Sequence, residues 1–106
     1  MIELNRDTFE EETKSGDVPV MVDFWGPRCG PCLRLMPAVE ELEEEYAGRL
    51  KVTKLNSAEN RLLCAKNQVM SLPSFLFFKG GEEVHRINGE DLTKESIKEA
   101  IESVLG

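Results

Sequence analysis

The spacing of apolar and polar residues along the chain predicts nine secondary-structure elements in the order βαβαβαββα. The clearest strand is the run from Val18 to Trp25, which is apolar on both faces and is therefore expected at the centre of a sheet. The clearest helix, from about Leu33 to Tyr46, follows it and repeats apolar residues at helical spacing. This order predicts an α/β domain in which helices cover a mixed sheet on both sides.

The remaining elements are shorter and end at turn-forming residues. In chain order they are a strand at residues 1–4, a helix capped by Asn5 or Asp7 and ending near Lys14, a strand at 50–56, a short helix at about 60–67, a hairpin of strands at 75–78 and 84–87 around Gly80-Gly81, and a helix from about Thr93. We expect a turn at Ser15-Gly16-Asp17. Pro37 should interrupt and kink the second helix, because proline lacks an amide hydrogen.

The length and net charge of the chain limit the number of domains and the kinds of partner that it can have. We predict one domain over residues 1–106, since this length can bury one core. The net charge of −7 argues against nucleic-acid binding, which requires a basic face. Apolar runs stay short of the roughly 18 residues of a membrane-spanning helix, and the start lacks the features of a signal peptide. We therefore expect a cytoplasmic protein without nucleic-acid or membrane partners.

The chemistry of the chain concentrates at Cys29 and Cys32, between the central strand and the second helix. A helix N-terminus carries a partial positive charge that stabilises a thiolate. The intervening Gly30 and Pro31 permit a tight entry and a stiff first turn. Two close thiols, one of them activated, are what reversible disulfide exchange requires. The position of the pair therefore favours a redox-active disulfide.

Two other interpretations of the cysteine pair are open. A C-x-x-C pair is also half of a structural zinc site, but such a site needs a second ligand pair, and the chain offers only Cys64 and His85. A static structural disulfide is the other interpretation, although three cysteines without a secretory signal do not form a disulfide framework. We favour redox chemistry and expect no metal site.

Further residues, spread over nearly the whole chain, match a known family pattern. They are Asp23-Phe24-Trp25, Cys29-Gly30-Pro31-Cys32, Pro37, Lys54, Leu72-Pro73-Ser74 followed by Phe75 to Lys79, Gly80-Gly81, and Gly89. In these residues and their spacing the chain resembles the thioredoxin family. The resemblance implies a thioredoxin fold, with a central five-stranded mixed β-sheet flanked by four helices.

The resemblance also implies an activity. It implies a small dithiol-disulfide oxidoreductase that reduces disulfides in protein substrates and is re-reduced by a thioredoxin reductase. Cys29 and Cys32 would be oxidised reversibly through a mixed-disulfide intermediate, with no bound cofactor. We expect a monomer. The alternatives are a thioredoxin-fold protein-binding module and a pathway-dedicated reductant in a larger assembly.

Some positions near the cysteines depart from the family pattern. The residue before the first cysteine is Arg28 where the family usually has Trp, and Ser74 follows the groove proline where Thr is usual. An acidic residue that is usual near the end of the third strand is replaced around Ser57-Ala58. Around Gly89 the match is looser, because residues 88–91 carry an extra residue. These changes leave the chemistry intact and bear on the potential, the partners and the reductase.

The two cysteines are predicted to have different roles. Cys29 lies nearest the helix end and beside Arg28, and both effects favour its thiolate, so Cys29 is the predicted nucleophile. Cys32 lies one turn inward, where it should be more buried, and is the predicted resolving thiol of the mixed disulfide. The alternative is an exchange of these roles or a static bridge.

The other site residues follow from the resemblance. It implies that Asp23 takes and returns the proton of Cys32, and that Lys54 tunes this carboxylate. It also implies a cis bond before Pro73, in which geometry the Leu72 backbone can pair with an extended substrate strand. The remaining residues implied in the substrate groove are Trp25, Gly30, Pro31 and Gly89.

Several of these residues also have a structural interpretation. Asp23 can be a partnered structural aspartate, Lys54 a solvated strand residue, and Gly89 a simple turn residue. Two further residues are interpreted as structural only. We expect Cys64 to be a buried hydrophobe and His85 to be a solvated edge residue.

Overall fold

The described residues form nine helices and strands, which follow the predicted order. The computed structural model describes residues 1–14 and 16–106. Its elements are β1 (Ile2–Leu4), α1 (Phe9–Lys14), β2 (Val20–Trp25), α2 (Gly30–Glu45), β3 (Lys51–Asn56), α3 (Arg61–Lys66), β4 (Ser74–Lys79), β5 (Glu82–Asn88) and α4 (Lys94–Leu105). Of the turn predicted at residues 15–17, Ser15 lies outside the described residues. No helix in the two described ranges is long and apolar enough to cross a membrane.

The sheet is mixed and five-stranded, in the order β1-β3-β2-β4-β5. The central strand β2 pairs in parallel with β3 and antiparallel with β4. Every residue of β2 except Trp25 is buried, which confirms its predicted central position. Because β1, β3 and β2 run in parallel, their carboxyl ends meet at one edge of the sheet, where the chain enters α2.

An apolar layer covers each face of the sheet. Side chains alternate along β2, so Met21 faces one layer while Val22 and Phe24 face the other. The same alternation places Asp23 on the Met21 face. The Met21 layer includes residues of α2 and α4, namely Val39, Leu42, Ile97, Ala100, Ile101 and Val104. The opposite layer includes Phe9 of α1 and Leu63 of α3.

α2 is a single helix with Pro37 inside it. The helix therefore continues through Pro37, and the predicted kink at this residue stays a prediction. Cys29 is the N-cap and Tyr46 the C-cap. The Tyr46 hydroxyl donates a hydrogen bond to the carboxylate of Glu102 in α4, which fixes the end of α2 against the neighbouring helix.

The first helix is shorter than the sequence predicts. The Asn5 side-chain oxygen accepts hydrogen bonds from the backbone N–H groups of Asp7 at 2.8 Å and Thr8 at 3.1 Å. These bonds hold a turn before the helix, which begins at Phe9. Of the two predicted caps, Asn5 is the one whose side chain bonds this turn.

The β4–β5 hairpin forms one edge of the sheet. Gly80 and Gly81 have φ values of +58° and +88°, which a tight hairpin turn requires and which favour glycine. The register between the two strands shifts between Phe77 and Phe78. The residues of β5 are exposed or half-buried.

Candidate active site

Cys29 and Cys32 form a disulfide at the start of α2, with their Cα atoms 5.2 Å apart. Cys29 is partly exposed, whereas only 1% of Cys32 is exposed. This is the difference in burial that the sequence predicts. Because a sulfur must be accessible to attack a disulfide in another molecule, the geometry favours Cys29 as the attacking group.

The N-cap geometry of α2 positions the first sulfur. Cys29 has extended backbone angles, with φ −94° and ψ 102°, and its Sγ accepts a hydrogen bond from the Cys32 N–H at 3.2 Å. The Cys29 carbonyl accepts from the Leu33 N–H at 3.1 Å. Pro31 lies in the first turn, where its missing N–H has no helical acceptor to lose. A negative charge on Cys29 Sγ thus faces the positive end of the helix.

Asp23 is a buried carboxyl group in the central strand. It is 1% exposed, and its Oδ1 has no hydrogen-bond partner among the described residues. Burial raises the pKa of Asp23 from its ordinary 3.8 to about 7; Lys54 acts in the opposite direction, and Glu3 adds to the rise. Asp23 lies on the sheet face that α2 covers, and α2 carries Cys32. A carboxyl group that titrates near neutral pH can both accept and return a proton there.

Lys54 and Glu3 are brought to Asp23 by the register of the sheet. Glu3 is aligned with Lys54, and Lys54 with Asp23, across three parallel strands. The Lys54 Nζ lies 4.0 Å from Glu3 Oε1 and 5.7 Å from the centroid of the Trp25 ring. The Trp25 indole N–H donates to Glu3 Oε2 at 2.9 Å. The structure thus places Lys54 on the strand next to Asp23, as the resemblance implies, and also brings its ammonium group near Trp25.

Glu3 is a site residue that the pattern of the sequence does not identify. Its carboxylate contacts both the Trp25 indole and the Lys54 ammonium. The sequence contains one indication of this, a polar residue within the predicted first strand. A polar residue in a strand does not by itself predict a contact. The alignment of β1 with β3 brings Glu3 to Lys54, which is distant along the chain.

The Leu72–Pro73 bond is cis, as the resemblance implies. The Pro73 carbonyl accepts a hydrogen bond from the Gly89 N–H at 3.1 Å, and Gly89 has a φ of +121°, which favours glycine. Neither backbone group of Leu72 has a hydrogen-bond partner among the described residues. The Leu72 backbone is therefore free to pair with an extended chain.

A cleft of about 1000 Å³ opens beside the disulfide. We call it the α3 cleft, and it is lined by residues 26–29, 57–58, 61, 64–65 and 69–72. Cys64 packs against the apolar layer that contains Leu63, as a hydrophobic residue would, but it is partly exposed and lines this cleft together with Cys29. The predicted full burial of Cys64 is therefore wrong. The reason is that α3 is short and buries only Leu63.

The remaining predicted site residues lie at or near the surface. Arg28 and Gly30 are exposed and Pro31 is half-buried, next to Cys29 in the chain. His85 is exposed on the edge strand β5, with its ring centroid 5.8 Å from that of Phe77. Within residues 1–14 and 16–106, no group of three or more His, Cys, Asp or Glu side chains is placed to hold a metal ion.

Comparison with known proteins agrees with this site. The family model described as Thioredoxin matches residues 1–103. Thioredoxin 1 of Nostoc sp. is 39% identical over 98 residues, which cover 92% of this chain and 91% of that protein. Thioredoxin of Acetoanaerobium sticklandii is 35% identical over 105 residues, 99% of this chain and 100% of that protein. The chloroplastic M-type thioredoxin of Spinacia oleracea is 39% identical over 103 residues, 97% of this chain and 56% of that protein.

Proposed function

Because the chain belongs to the thioredoxin family and is a dithiol-disulfide oxidoreductase, we propose that it reduces protein disulfides with Cys29 as the nucleophile and Cys32 as the resolving thiol. One observation carries this assignment of roles. Cys29 is partly exposed at the cap of α2, whereas Cys32 is 1% exposed within the helix. A substrate disulfide can therefore approach the first sulfur and not the second.

The reaction begins with the reduced protein. The Cys29 thiolate attacks one sulfur of the substrate disulfide, and the other substrate sulfur leaves as a thiolate that takes up a proton. The Cys32 thiol then loses its proton and attacks Cys29 Sγ, which releases the second substrate thiolate. Two electrons thus pass from the protein to the substrate, and the protein is left with the Cys29–Cys32 disulfide. The proton lost by Cys32 and one proton from solvent balance the two substrate thiols that form.

Asp23 serves this cycle as the proton acceptor for Cys32. Its carboxyl group is buried on the sheet face beneath α2, and its pKa of about 7 suits proton exchange at neutral pH. Lys54 lowers the pKa of Asp23 and Glu3 raises it, so this pair of opposite charges tunes the acceptor. The proposed reaction requires no bound cofactor.

The catalytic cycle also requires an electron donor that reduces the Cys29–Cys32 disulfide, and a cellular compartment in which this reduction is favoured. We assign a thioredoxin reductase as the donor and disulfide-containing proteins as the substrates. We place the protein in the cytoplasm, where a reducing environment would return the pair to the dithiol after each cycle. A monomer suffices, because one chain supplies both thiols and the proton acceptor.

Reduction of insulin disulfides tests the proposal, first with dithiothreitol and then with NADPH and a thioredoxin reductase. We expect turnover in both arms, and none from the variant with serine at both Cys29 and Cys32. Turnover with dithiothreitol alone would refute only the assigned donor. A wild-type protein that is inactive in both arms, or a doubly substituted variant that remains active, would refute the assigned roles.

A further inference from the structure

The lining of the α3 cleft differs in charge from the rest of the molecule. The chain has 20 acidic and 13 basic residues. In the described part of the chain, the cleft is lined by two arginines, Arg28 and Arg61, and by no carboxylate. The nearest acidic residue along the chain, Glu59, lines a neighbouring groove. The surface beside the disulfide is therefore locally positive in an acidic protein.

Both arginines are available to a ligand. Arg28 and Arg61 are exposed, and neither forms an ion pair with any residue that the structure describes. Lys94 and Lys98, by contrast, are each paired with a glutamate of α2. A free guanidinium binds a carboxylate in a paired, planar geometry that a point charge does not offer.

The cleft also offers apolar contacts and backbone pairing. Met70 is 91% exposed although it is a large hydrophobic residue, and it lines the cleft beside Val69. Methionine adapts its shape to different partners. The free backbone groups of Leu72 lie on the same lining. An extended polypeptide that carries both apolar and acidic side chains complements these three features.

We propose that the α3 cleft selects substrate proteins in which acidic residues flank the disulfide in an extended segment. The segment pairs with the Leu72 backbone, and its carboxylates bind Arg28 and Arg61. The proposal rests on the proposed function, in which Cys29 attacks the substrate sulfur at one end of this cleft.

Disulfide peptides that differ only in the residues flanking the cysteine (Glu, Gln or Lys) test the preference, with dithiothreitol as the donor. We expect kcat/KM to be about threefold higher for the Glu peptide than for the Gln peptide, and lowest for the Lys peptide. The differences should shrink as salt is added, because exposed charges are screened.

Variants that change the charge of Arg61 test whether this residue causes the preference for acidic peptides. Because Arg28 stays in place, Arg61→Gln should reduce the preference and Arg61→Glu should abolish it. Lys66→Glu is the matched control, because it makes the same change of charge on an exposed residue of α3 that does not line the cleft. This control should keep the preference of the wild-type protein. Arg61 is chosen over Arg28, since a change at Arg28 also acts on the neighbouring Cys29.

Equal kcat/KM values for the three peptides would overturn the proposal, and so would a preference for the Lys peptide. A loss of preference in Lys66→Glu as large as in Arg61→Glu would also overturn it, because net charge would then be the cause. In each of these outcomes the peptides are still reduced, so the proposed function stands. A wild-type protein that reduces none of them would refute the proposed function and this preference together.

Discussion

The ionisable groups on the two sides of the disulfide lie in opposite environments, one side buried and the other exposed to solvent. On the inner side, Asp23 is buried, its Oδ1 has no hydrogen-bond partner in the described part of the chain, and its pKa rises to about 7. On the outer side, Arg28 and Arg61 are exposed at the α3 cleft. The inner side is closed by the packed layer of α2 and α4, whereas the outer side is open to solvent.

The difference in burial determines how strongly each charge affects the free energy of the protein. Inside a protein, a charge loses its hydration, so one carboxylate can change stability by several kcal/mol. On the surface, water and salt screen the same charge, and an ion pair contributes about 0–1 kcal/mol. We therefore expect the inner residues to determine the rate and stability of the protein, and the outer residues to determine which substrates it prefers.

The largest effect is expected from the cysteines themselves. Cys29→Ser should abolish disulfide reduction, because the attacking sulfur is lost. Cys32→Ser should instead accumulate a mixed disulfide with the substrate, since the second attack is lost. Mass spectrometry of the trapped adduct checks the site of attachment. Normal turnover by Cys32→Ser, or an adduct on Cys64, would show that the inner and outer sulfurs are wrongly assigned.

Asp23→Asn is expected to have the next largest effect, on stability. The pKa of Asp23 is raised from 3.8 to about 7 in the folded protein, so the native state keeps this proton over a pH range in which the unfolded chain has lost it. The stability of the wild-type protein should therefore fall as pH rises from about 4 to about 7 and then level off. At pH 8 the oxidised variant should be more stable by roughly 4 kcal/mol or less, and near pH 4 by little.

Denaturant unfolding at several pH values measures this effect. Asp91→Asn, the same change at an exposed position, is the control and should alter stability by about 0.5 kcal/mol or less. Asp23→Asn should also slow the release of the mixed disulfide, by about a hundredfold, because Cys32 loses its proton acceptor. Stabilisation without slower release would leave Asp23 a structural residue. A destabilised variant would mean that its charge is well satisfied.

Glu3→Gln should shift the titration of Asp23 by a smaller amount. The negative charge of Glu3 raises the pKa of Asp23 and also lies near the Lys54 ammonium. Removing that charge should therefore lower the pKa of Asp23 below about 7, which NMR titration of the carboxyl carbon can follow. Glu41→Gln is the control, since Glu41 is exposed and pairs with Lys94 instead. An unchanged or raised pKa would break the proposed link from β1 to the inner side.

The smallest effect is expected at Arg28. Arg28→Trp restores the usual family residue and removes a cation next to Cys29. The fraction of Cys29 present as thiolate at neutral pH should fall slightly, because the lost interaction is exposed to solvent. Thiolate absorbance during a pH titration of the reduced protein measures it. An unchanged or larger thiolate fraction would mean that the helix terminus alone activates this sulfur.

The hydrophobic pattern predicts the helices and strands with strong periodicity. It does not predict the side-chain contacts that depend on how neighbouring strands are aligned. β2 and α2 are placed within a few residues because long apolar patterns define them, and the cysteine pair follows from their junction. The contact of Glu3 with Trp25 is not predictable from periodicity, since it requires the alignment of β1 with β3. The exposure of Cys64 is missed for another reason: a helix of six residues has too few turns to define a buried face.

The two edges of the sheet are poor templates for the addition of further strands. β1 offers only three residues, and β5 presents exposed side chains, including Glu82 and Glu83, and a shifted register. Short, charged and irregular edges discourage the strand-by-strand growth of aggregates. Leu72 lies outside all five strands, and its backbone groups have no hydrogen-bond partner among residues 1–14 and 16–106. In the proposed function, an extended substrate can therefore pair at Leu72 while the edges of the sheet remain poor templates for its aggregation.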